Sequence, residues 1–157
     1  MGFEALSRGA AQAVFIESAA EALACIRRNA KDFGVESEIR SISEAFPRAL
    51  ARLETPDSPP FDLILADPPY RQGWEEKILD AFARSPLLAV GGKLFIEWAF
   101  EKGKTLPDRV AFLVKVREKS YGDTVLTTYS RTDHEGTDTA EDLSSDSRDP
   151  GDLSGLV

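Results

Sequence analysis

Residues 61–70 (Phe-Asp-Leu-Ile-Leu-Ala-Asp-Pro-Pro-Tyr) constrain the fold of this chain more than any other stretch. Residues 63–66 are continuously apolar, which is typical of a parallel β-strand buried on both faces. The run ends at Asp67, and the following Pro68 and Pro69 fit neither a helix interior nor a central ladder. The chain must therefore turn outward at the carboxyl end of this strand, where open α/β sheets bind their ligands.

The residues at this turn suit methyl transfer to an exocyclic amino group of a nucleobase. Such a nitrogen is a poor nucleophile because its lone pair is delocalised into the ring. The Asp67 carboxylate and the Pro68 carbonyl oxygen can each accept one N–H, which draws the nitrogen towards a tetrahedral form. Tyr70 can stack on the base, an interaction worth roughly 1–3 kcal/mol. The alternative is a strand that ends in an acidic Pro-Pro turn with a packed tyrosine.

Length and charge distribution indicate one domain followed by an acidic tail. The chain has 157 residues, of which 42% are hydrophobic, enough for one core. Its net charge of −8 at pH 7 is concentrated in residues 132–157, which hold eight acidic residues and one arginine. We therefore expect one folded domain over residues 1–131 and a disordered tail over residues 132–157. Because the domain is nearly neutral, the acidic balance does not exclude a nucleic-acid partner.

The sequence predicts no disulfide, no metal site and no membrane segment. The single cysteine, Cys25, lies in a helical pattern and is interpreted as a small core residue, and its isolation fits a reducing cytoplasm. The only histidine, His134, is in the acidic tail, and no Cys or His pair has ligand spacing. Neither a signal peptide nor an apolar run of transmembrane length is evident. We expect a cytoplasmic protein.

Helical and strand patterns alternate along the chain. Strands are predicted at residues 13–17, 38–42, 61–66 and 93–98, and helices at 3–8, 18–33, 44–54 and 74–84, before a hairpin of residues 110–120 and 124–131. Ser18 and Glu21 indicate a capping box for the second helix, and Gly34 its end. This order predicts a doubly wound α/β sheet with a mostly parallel core and a C-terminal antiparallel hairpin.

Four segments of the chain resemble the Rossmann-like, S-adenosyl-L-methionine-dependent methyltransferases. Within them the chain is similar to the RsmD-type bacterial enzymes, which methylate a guanine N2 of 16S ribosomal RNA. The segments are Gly-Phe-Glu-Ala-Leu-Ser-Arg-Gly-Ala at 2–10, Val-Phe-Ile-Glu at 14–17, residues 62–70, and Tyr-Gly-Asp-Thr at 121–124. The resemblance implies a methyltransferase that uses S-adenosyl-L-methionine and acts on 16S rRNA or the assembling small ribosomal subunit.

The resemblance also implies which residues bind the cofactor. Glu17 matches the acid that binds the ribose hydroxyls, with Ser18 beside it; the alternative is an exposed acid at a strand end. Glu44 and Ala45 fall where the family often has an acid near the adenine, although Glu44 could also simply start a helix. Gly2 matches the last glycine of the family's cofactor loop.

The target-amine site falls on the Asp-Pro-Pro-Tyr motif. By the same resemblance, Asp67, Pro68, Pro69 and Tyr70 form the catalytic site, and Tyr70 also binds the substrate. Arg71 would then meet an RNA phosphate, or it is a solvated arginine. The motif alone also fits adenine-N6 methyltransferases, which leaves that activity as the alternative. A third hypothesis is a non-catalytic remnant that binds RNA or a partner.

The chain departs from the family pattern at its amino terminus. The family's first strand ends in a glycine-rich loop, of which only the last glycine is matched, by Gly2. That strand lies at the centre of the family's sheet, so we expect this chain to lack the central strand and to leave two strand edges unpaired. We also expect weak cofactor binding. Two explanations stay open, a mis-started or fragmentary gene product, or a short form that another chain completes.

Overall fold

Three α-helices, one 3-10 helix and seven β-strands form the part of the chain that the computed structural model describes, residues 1–56 and 58–135. The helices are α1 (Gly2–Ser7), α2 (Ala20–Phe33) and α3 (Trp74–Ala83), and the 3-10 helix is Arg48–Arg52. The strands are β1 (Ala13–Glu17), β2 (Ile39–Ser43), β3 (Phe61–Ala66), β4 (Leu88–Ala99), β5 (Arg109–Val110), β6 (Leu113–Tyr121) and β7 (Thr124–Arg131). The alternation of strands and helices confirms the predicted α/β class.

The strands form two separate sheets within the described residues. The first contains β1 and β2, which are parallel. The second has the order β3-β4-β7-β6-β5, in which β3 and β4 are parallel and the remaining pairs are antiparallel. The sheets are therefore mixed. The parallel pairs are β1–β2 and β3–β4, and the predicted antiparallel hairpin is β6–β7. In the described residues no backbone ladder joins β1 or β2 to β3.

One hydrophobic core lies under both sheets. Ile42 of β2 belongs to the same buried cluster as Leu94 and Ile96 of β4, and α3 contributes Ile78 and Phe82. Leu94 and Ile96 are fully buried, as expected for alternate residues of a strand covered by a helix. Because α3 packs onto one face of the second sheet, it fixes the position of the loop that connects β3 to it.

The opposite face of β3 is open, which makes the prediction of a strand buried on both faces wrong. Leu63 is 49% exposed and Leu65 is 37% exposed, whereas Ile64 between them packs against the core. Side chains alternate between the two faces of a strand, and the described helix on this sheet, α3, covers only the Ile64 side. The apolar run therefore identified the strand correctly but not the number of its covered faces.

The start of α2 also differs from the predicted capping box. The helix begins at Ala20, its N-cap is Ala19, and no side chain caps it. The prediction of a cap at Ser18 is therefore wrong. The carboxylate of Glu17 instead accepts a hydrogen bond from the Ala19 N–H at 2.8 Å. The predicted end of the helix is confirmed, because Gly34 is the C-cap with a left-handed φ of 67°.

Two further local predictions are wrong. The helix predicted over residues 44–54 is reduced to the 3-10 helix Arg48–Arg52. Pro47 explains the late start, since proline lacks a backbone N–H and disfavours helical geometry in the residue before it. Cys25, interpreted as a core residue, is exposed and accepts a hydrogen bond from Arg28 Nη2 at 3.0 Å.

The remaining predicted elements lie where expected, with small shifts at their ends. The fourth strand is longer than predicted, because β4 begins at Leu88 rather than at residue 93. Of the predicted tail, residues 132–135 are described, and the rest lies outside the described residues. Thr132 continues the pairing after β7, as its N–H donates to the Phe112 carbonyl at 2.8 Å. Across the described ranges, no helix is both long and apolar enough to cross a membrane.

Candidate active site

Asp67 and Glu97 lie side by side where the parallel ladder between β3 and β4 ends. The last ladder partners of β3 and β4 are Ala66 and Ile96, so the next residue on each chain is an acid. Adjacent strands are about 4.8 Å apart. The sequence therefore brings together two carboxyl groups that are 30 residues apart, although only Asp67 was predicted to belong to the site.

Tyr70 is fixed by its hydroxyl group to the neighbouring strands. The hydroxyl donates to Glu97 Oε1 at 2.5 Å and lies 3.4 Å from Thr124 Oγ1. Thr124 begins β7, two residues before Leu126, the ladder partner of Glu97, and therefore shares a sheet face with Glu97. The tyrosine is nevertheless 40% exposed. It is held at one end while part of its surface remains accessible to a base.

Electrostatics couple the members of this cluster. The pKa of Asp67 is raised above its ordinary value of 3.8 by burial of the carboxyl group and then by the negative charge of Glu97, while the amino group of Met1 lowers it. The pKa of Tyr70 is raised because its hydroxyl donates to Glu97, with Thr124 opposing the shift.

The loop after the Asp-Pro-Pro-Tyr motif is strained and tight. Arg71 has a φ of 59°, a left-handed conformation that costs a non-glycine residue of order 1–3 kcal/mol. Gly73 has a φ of 65° and is the N-cap of α3. Between them, Gln72 Oε1 accepts from Trp74 Nε1 at 3.3 Å. The exposed Arg71 thus stands directly beside the site, on a turn anchored at both ends by β3 and α3.

A second group of predicted residues gathers at the carboxyl end of the first sheet. Glu17 is the ladder partner of Ser43, so Glu17 and Ser18 lie beside the segment that follows β2. Glu17 is half-buried, and its Oε1 is bound to the Ala19 N–H. This bond holds the carboxylate at the strand end with a second oxygen available to accept. Ser18 is exposed.

The environment of Glu44 is less suited to a ligand. Its Oε2 lies 2.5 Å from Arg52 Nε, and its side chain is 26% exposed. The ion pair ties the segment after β2 to the 3-10 helix. Ala45 next to it is exposed. Both residues directly follow Ser43, the ladder partner of Glu17, but the carboxylate of Glu44 is engaged by Arg52.

Close packing of α1 against β1 explains the glycine at position 2. It begins α1, and a Cβ atom built on it would lie 2.7 Å from the ring of Phe15 in β1. The ring of Phe3 also packs on Phe15, with centroids 5.0 Å apart. A larger residue at position 2 would therefore require the Phe15 ring or α1 to shift. The structure thus accounts for Gly2 by helix–strand contact.

Neither Glu97 nor Thr124 was predicted as a site residue, although a signal for Glu97 is present. In three strands an apolar run is followed by an acid: Val-Phe-Ile-Glu at 14–17, Leu-Ile-Leu-Ala-Asp at 63–67 and Leu-Phe-Ile-Glu at 94–97. The acid follows the apolar run directly in each case. Thr124 belongs to the Tyr-Gly-Asp-Thr segment of the family resemblance, but its place in the site was not predicted, because only the register of β7 against β4 brings it near Tyr70.

The fold and this site define a methyltransferase-like α/β chain. It belongs to the family described as Conserved hypothetical protein 95, whose model matches residues 1–130. This match confirms the family resemblance that the sequence motifs indicated.

Several relatives share the fold over most of the chain. The chain is 28% identical over 134 residues to the "Putative rRNA methyltransferase YlbH" of Bacillus subtilis, covering 83% of this chain and 70% of that protein. A conserved hypothetical protein from Streptococcus pyogenes matches with a TM-score of 0.71 and 29% identity, over 82% of this chain and 77% of that one. The "Putative methyltransferase yhhF" of Escherichia coli matches with a TM-score of 0.68 and 27% identity, over 83% and 68%.

Proposed function

We propose that this protein transfers a methyl group from S-adenosyl-L-methionine to the exocyclic N2 of a guanine in small-subunit ribosomal RNA. The observation that carries the proposal is the pairing of Asp67 with Pro68 at the carboxyl end of β3, beside a tyrosine tethered to Glu97. The name of the Bacillus subtilis relative supports an rRNA substrate. A ribosomal substrate in turn places the protein in the cytoplasm.

The residues of the first sheet fit part of the cofactor. S-adenosyl-L-methionine supplies an electrophilic methyl group when bound. Glu17 would accept hydrogen bonds from its ribose hydroxyls, since a carboxylate offers only acceptors and one of its oxygens is already fixed by the Ala19 N–H. Ser18 lies beside it. Glu44 could join only by exchanging its ion pair with Arg52 for a ligand contact.

Asp67 and Pro68 would activate the target nitrogen. Each offers one acceptor oxygen, a carboxylate and a backbone carbonyl, and together they would hold the two N–H bonds of an amino group. This arrangement aims the nitrogen lone pair away from the protein and towards the methyl donor. Pro68 and Pro69 have fixed φ angles, so the loop loses little conformational freedom when the target base binds. Positioning of this kind supplies about 7–11 kcal/mol in favourable cases.

Tyr70 and Arg71 would hold the RNA around the target base. The Tyr70 ring would stack on the base, while its hydroxyl stays bound to Glu97. Arg71 would contact a phosphate next to the flipped nucleotide, as cations beside base-modifying sites commonly do.

Substrate comparison tests the proposal. The full 157-residue chain is incubated with radiolabelled S-adenosyl-L-methionine at millimolar concentration, because we expect its affinity to be weak. Unmodified 16S rRNA transcript is compared with adenine-rich DNA. We expect label in the rRNA and little in the DNA. Label in the DNA alone would favour adenine-N6 transfer, and RNA binding without any transfer would favour a non-catalytic remnant.

A further inference from the structure

Glu97 is an acid of the candidate site that lies outside the Asp-Pro-Pro-Tyr motif. It stands on β4, level with the first residue after β3, which is Asp67. Its charge reaches Asp67, since it is one of the two causes that raise the pKa of that residue. Two carboxyl groups therefore share one end of the sheet, although the activation of a single amino group needs only one of them.

One oxygen of Glu97 remains available for a ligand. Oε1 accepts the Tyr70 hydroxyl, and Oε2 receives no hydrogen bond from the residues that the structure describes. Because an ionised carboxylate has only acceptor positions, a partner for Oε2 must be a donor. The Tyr70 hydroxyl occupies Oε1 and leaves Oε2 for that donor.

Guanine and adenine differ in the hydrogen-bonding character of the ring nitrogen next to the target amino group. The N2 amino group of guanine is adjacent to N1–H, so guanine presents two donors in a row. The N6 amino group of adenine is adjacent to N1, whose lone pair is an acceptor. Two neighbouring carboxylates are complementary to the first edge and repel the second.

We propose that Glu97 accepts the N1–H of the target guanine while Asp67 accepts an N2–H, which makes Glu97 the residue that selects guanine over adenine. The inference rests on the proposed function and extends it by naming the selecting residue. A site built to accept an N–H discriminates strongly against an analogue without it, since the acceptor is left facing a lone pair.

The base 2-aminopurine isolates this contact. It keeps the exocyclic 2-amino group, but its N1 is an acceptor instead of a donor. Two short RNAs are compared, one with guanine at the target position and one with 2-aminopurine. The readouts are methyl transfer and competition binding, the latter followed by 2-aminopurine fluorescence. We expect wild-type protein to prefer guanine in both.

The decisive variant is Glu97→Gln, in which an amide N–H can donate to N1 of 2-aminopurine. The preference for guanine over 2-aminopurine should fall by at least about tenfold, the size of one good base contact. Lack of the O6 atom in 2-aminopurine affects both proteins equally and cancels from the comparison. An unchanged preference would overturn the inference.

Tyr70→Phe separates direct selection from an effect through the tyrosine. This variant removes the hydroxyl that binds Glu97 but keeps both the ring and the carboxylate. We expect it to retain most of the guanine preference. If Tyr70→Phe lowers the preference as much as Glu97→Gln, Glu97 acts only by positioning Tyr70 and the inference is wrong. If wild-type protein methylates neither RNA, the proposed function fails, and the binding preference still decides the role of Glu97.

Discussion

Replacement of Asp67 by alanine is the most informative perturbation of the proposed chemistry. The change removes the carboxylate acceptor at the end of β3 and leaves, of the two acceptors proposed for the amino group, only the Pro68 carbonyl. It should not disturb the cofactor residues of the first sheet, because Glu17 is held by its own bond to the Ala19 N–H. We therefore expect a loss of turnover with cofactor binding retained.

The expected size follows from the contact that is lost. A hydrogen bond to a charged acceptor is worth about 1.5–3 kcal/mol, which corresponds to a roughly 10- to 150-fold fall in kcat. The fall should appear in kcat rather than in the KM for the cofactor, because the contact matters most when the amine attacks. A loss within this range would mean that Asp67 acts mainly by accepting one N–H.

The pH dependence gives a second signature of Asp67. The active form is the carboxylate, so the rate should fall as the pH drops through the pKa of this group. Because burial and Glu97 raise that pKa above 3.8, the fall should begin at a higher pH than for an unperturbed aspartate. The Glu97→Gln variant removes one of the two causes, and its acid limb should shift to lower pH.

Single-turnover methyl transfer to the RNA measures these effects, with Asp62→Ala as the matched control. Asp62 lies on the same strand, is exposed, and precedes the apolar run rather than following it. We expect the control to behave as wild type. Turnover by Asp67→Ala equal to that of the control would refute the assignment of the amine site.

Three further predictions concern the packing around the site. Tyr70→Ala should weaken RNA binding by roughly 1–3 kcal/mol because the stacking ring is lost, and Tyr70→Phe should weaken it less. An equal rise of the KM for RNA in both variants would contradict a stacking role. Leu94→Ala should lower the free energy of unfolding in urea by about 2–5 kcal/mol, because Leu94 is 0% exposed. Leu63→Thr should lower it by less than about 1 kcal/mol, because Leu63 is 49% exposed. Similar losses for the two variants would contradict the open face of β3. Glu75→Ala should cost about 3 kcal/mol, the lower end of the range for a broken buried ion pair, because Glu75 is buried but its partner Lys104 is partly exposed. No measurable cost would show that the pair contributes nothing. Burial raises the pKa of Glu75, but the hydrogen bond from Lys104, the backbone hydrogen bond at Glu75 and the charge of Lys104 together lower it below 4.5. This contribution is therefore full above pH 4.5 and is lost as the pH falls through the lower folded value.

The sequence predicted the elements that carry the motif because their signals are local. The run at 63–66 and the prolines after Asp67 define where β3 ends, and the structure places that end at Ala66. The periodicity of α3 and the turn before Thr124 are equally local, and both elements were found. The same local reasoning failed before Arg48, where Pro47 outweighed the apolar spacing of the predicted helix.

The exposure of individual side chains and their hydrogen-bond partners were harder to predict, because both depend on segments that are distant in the sequence. The exposure of Leu65 depends on which face of the sheet carries a helix, which its own strand does not reveal. Glu97 reaches Tyr70 across 27 residues only because β3 and β4 pair in one particular register. Glu17 was assigned to a ligand, but its role as backbone partner of Ala19 became visible only in three dimensions.

The most direct test of the account is to identify the nucleoside that the protein modifies. Unmodified 16S rRNA is incubated with the chain and millimolar S-adenosyl-L-methionine, digested to nucleosides and measured by mass spectrometry. The account predicts N2-methylguanosine, its formation reduced by Asp67→Ala and unaffected by Asp62→Ala. N6-methyladenosine in its place, or N2-methylguanosine formed equally by the Asp67 variant, would contradict it.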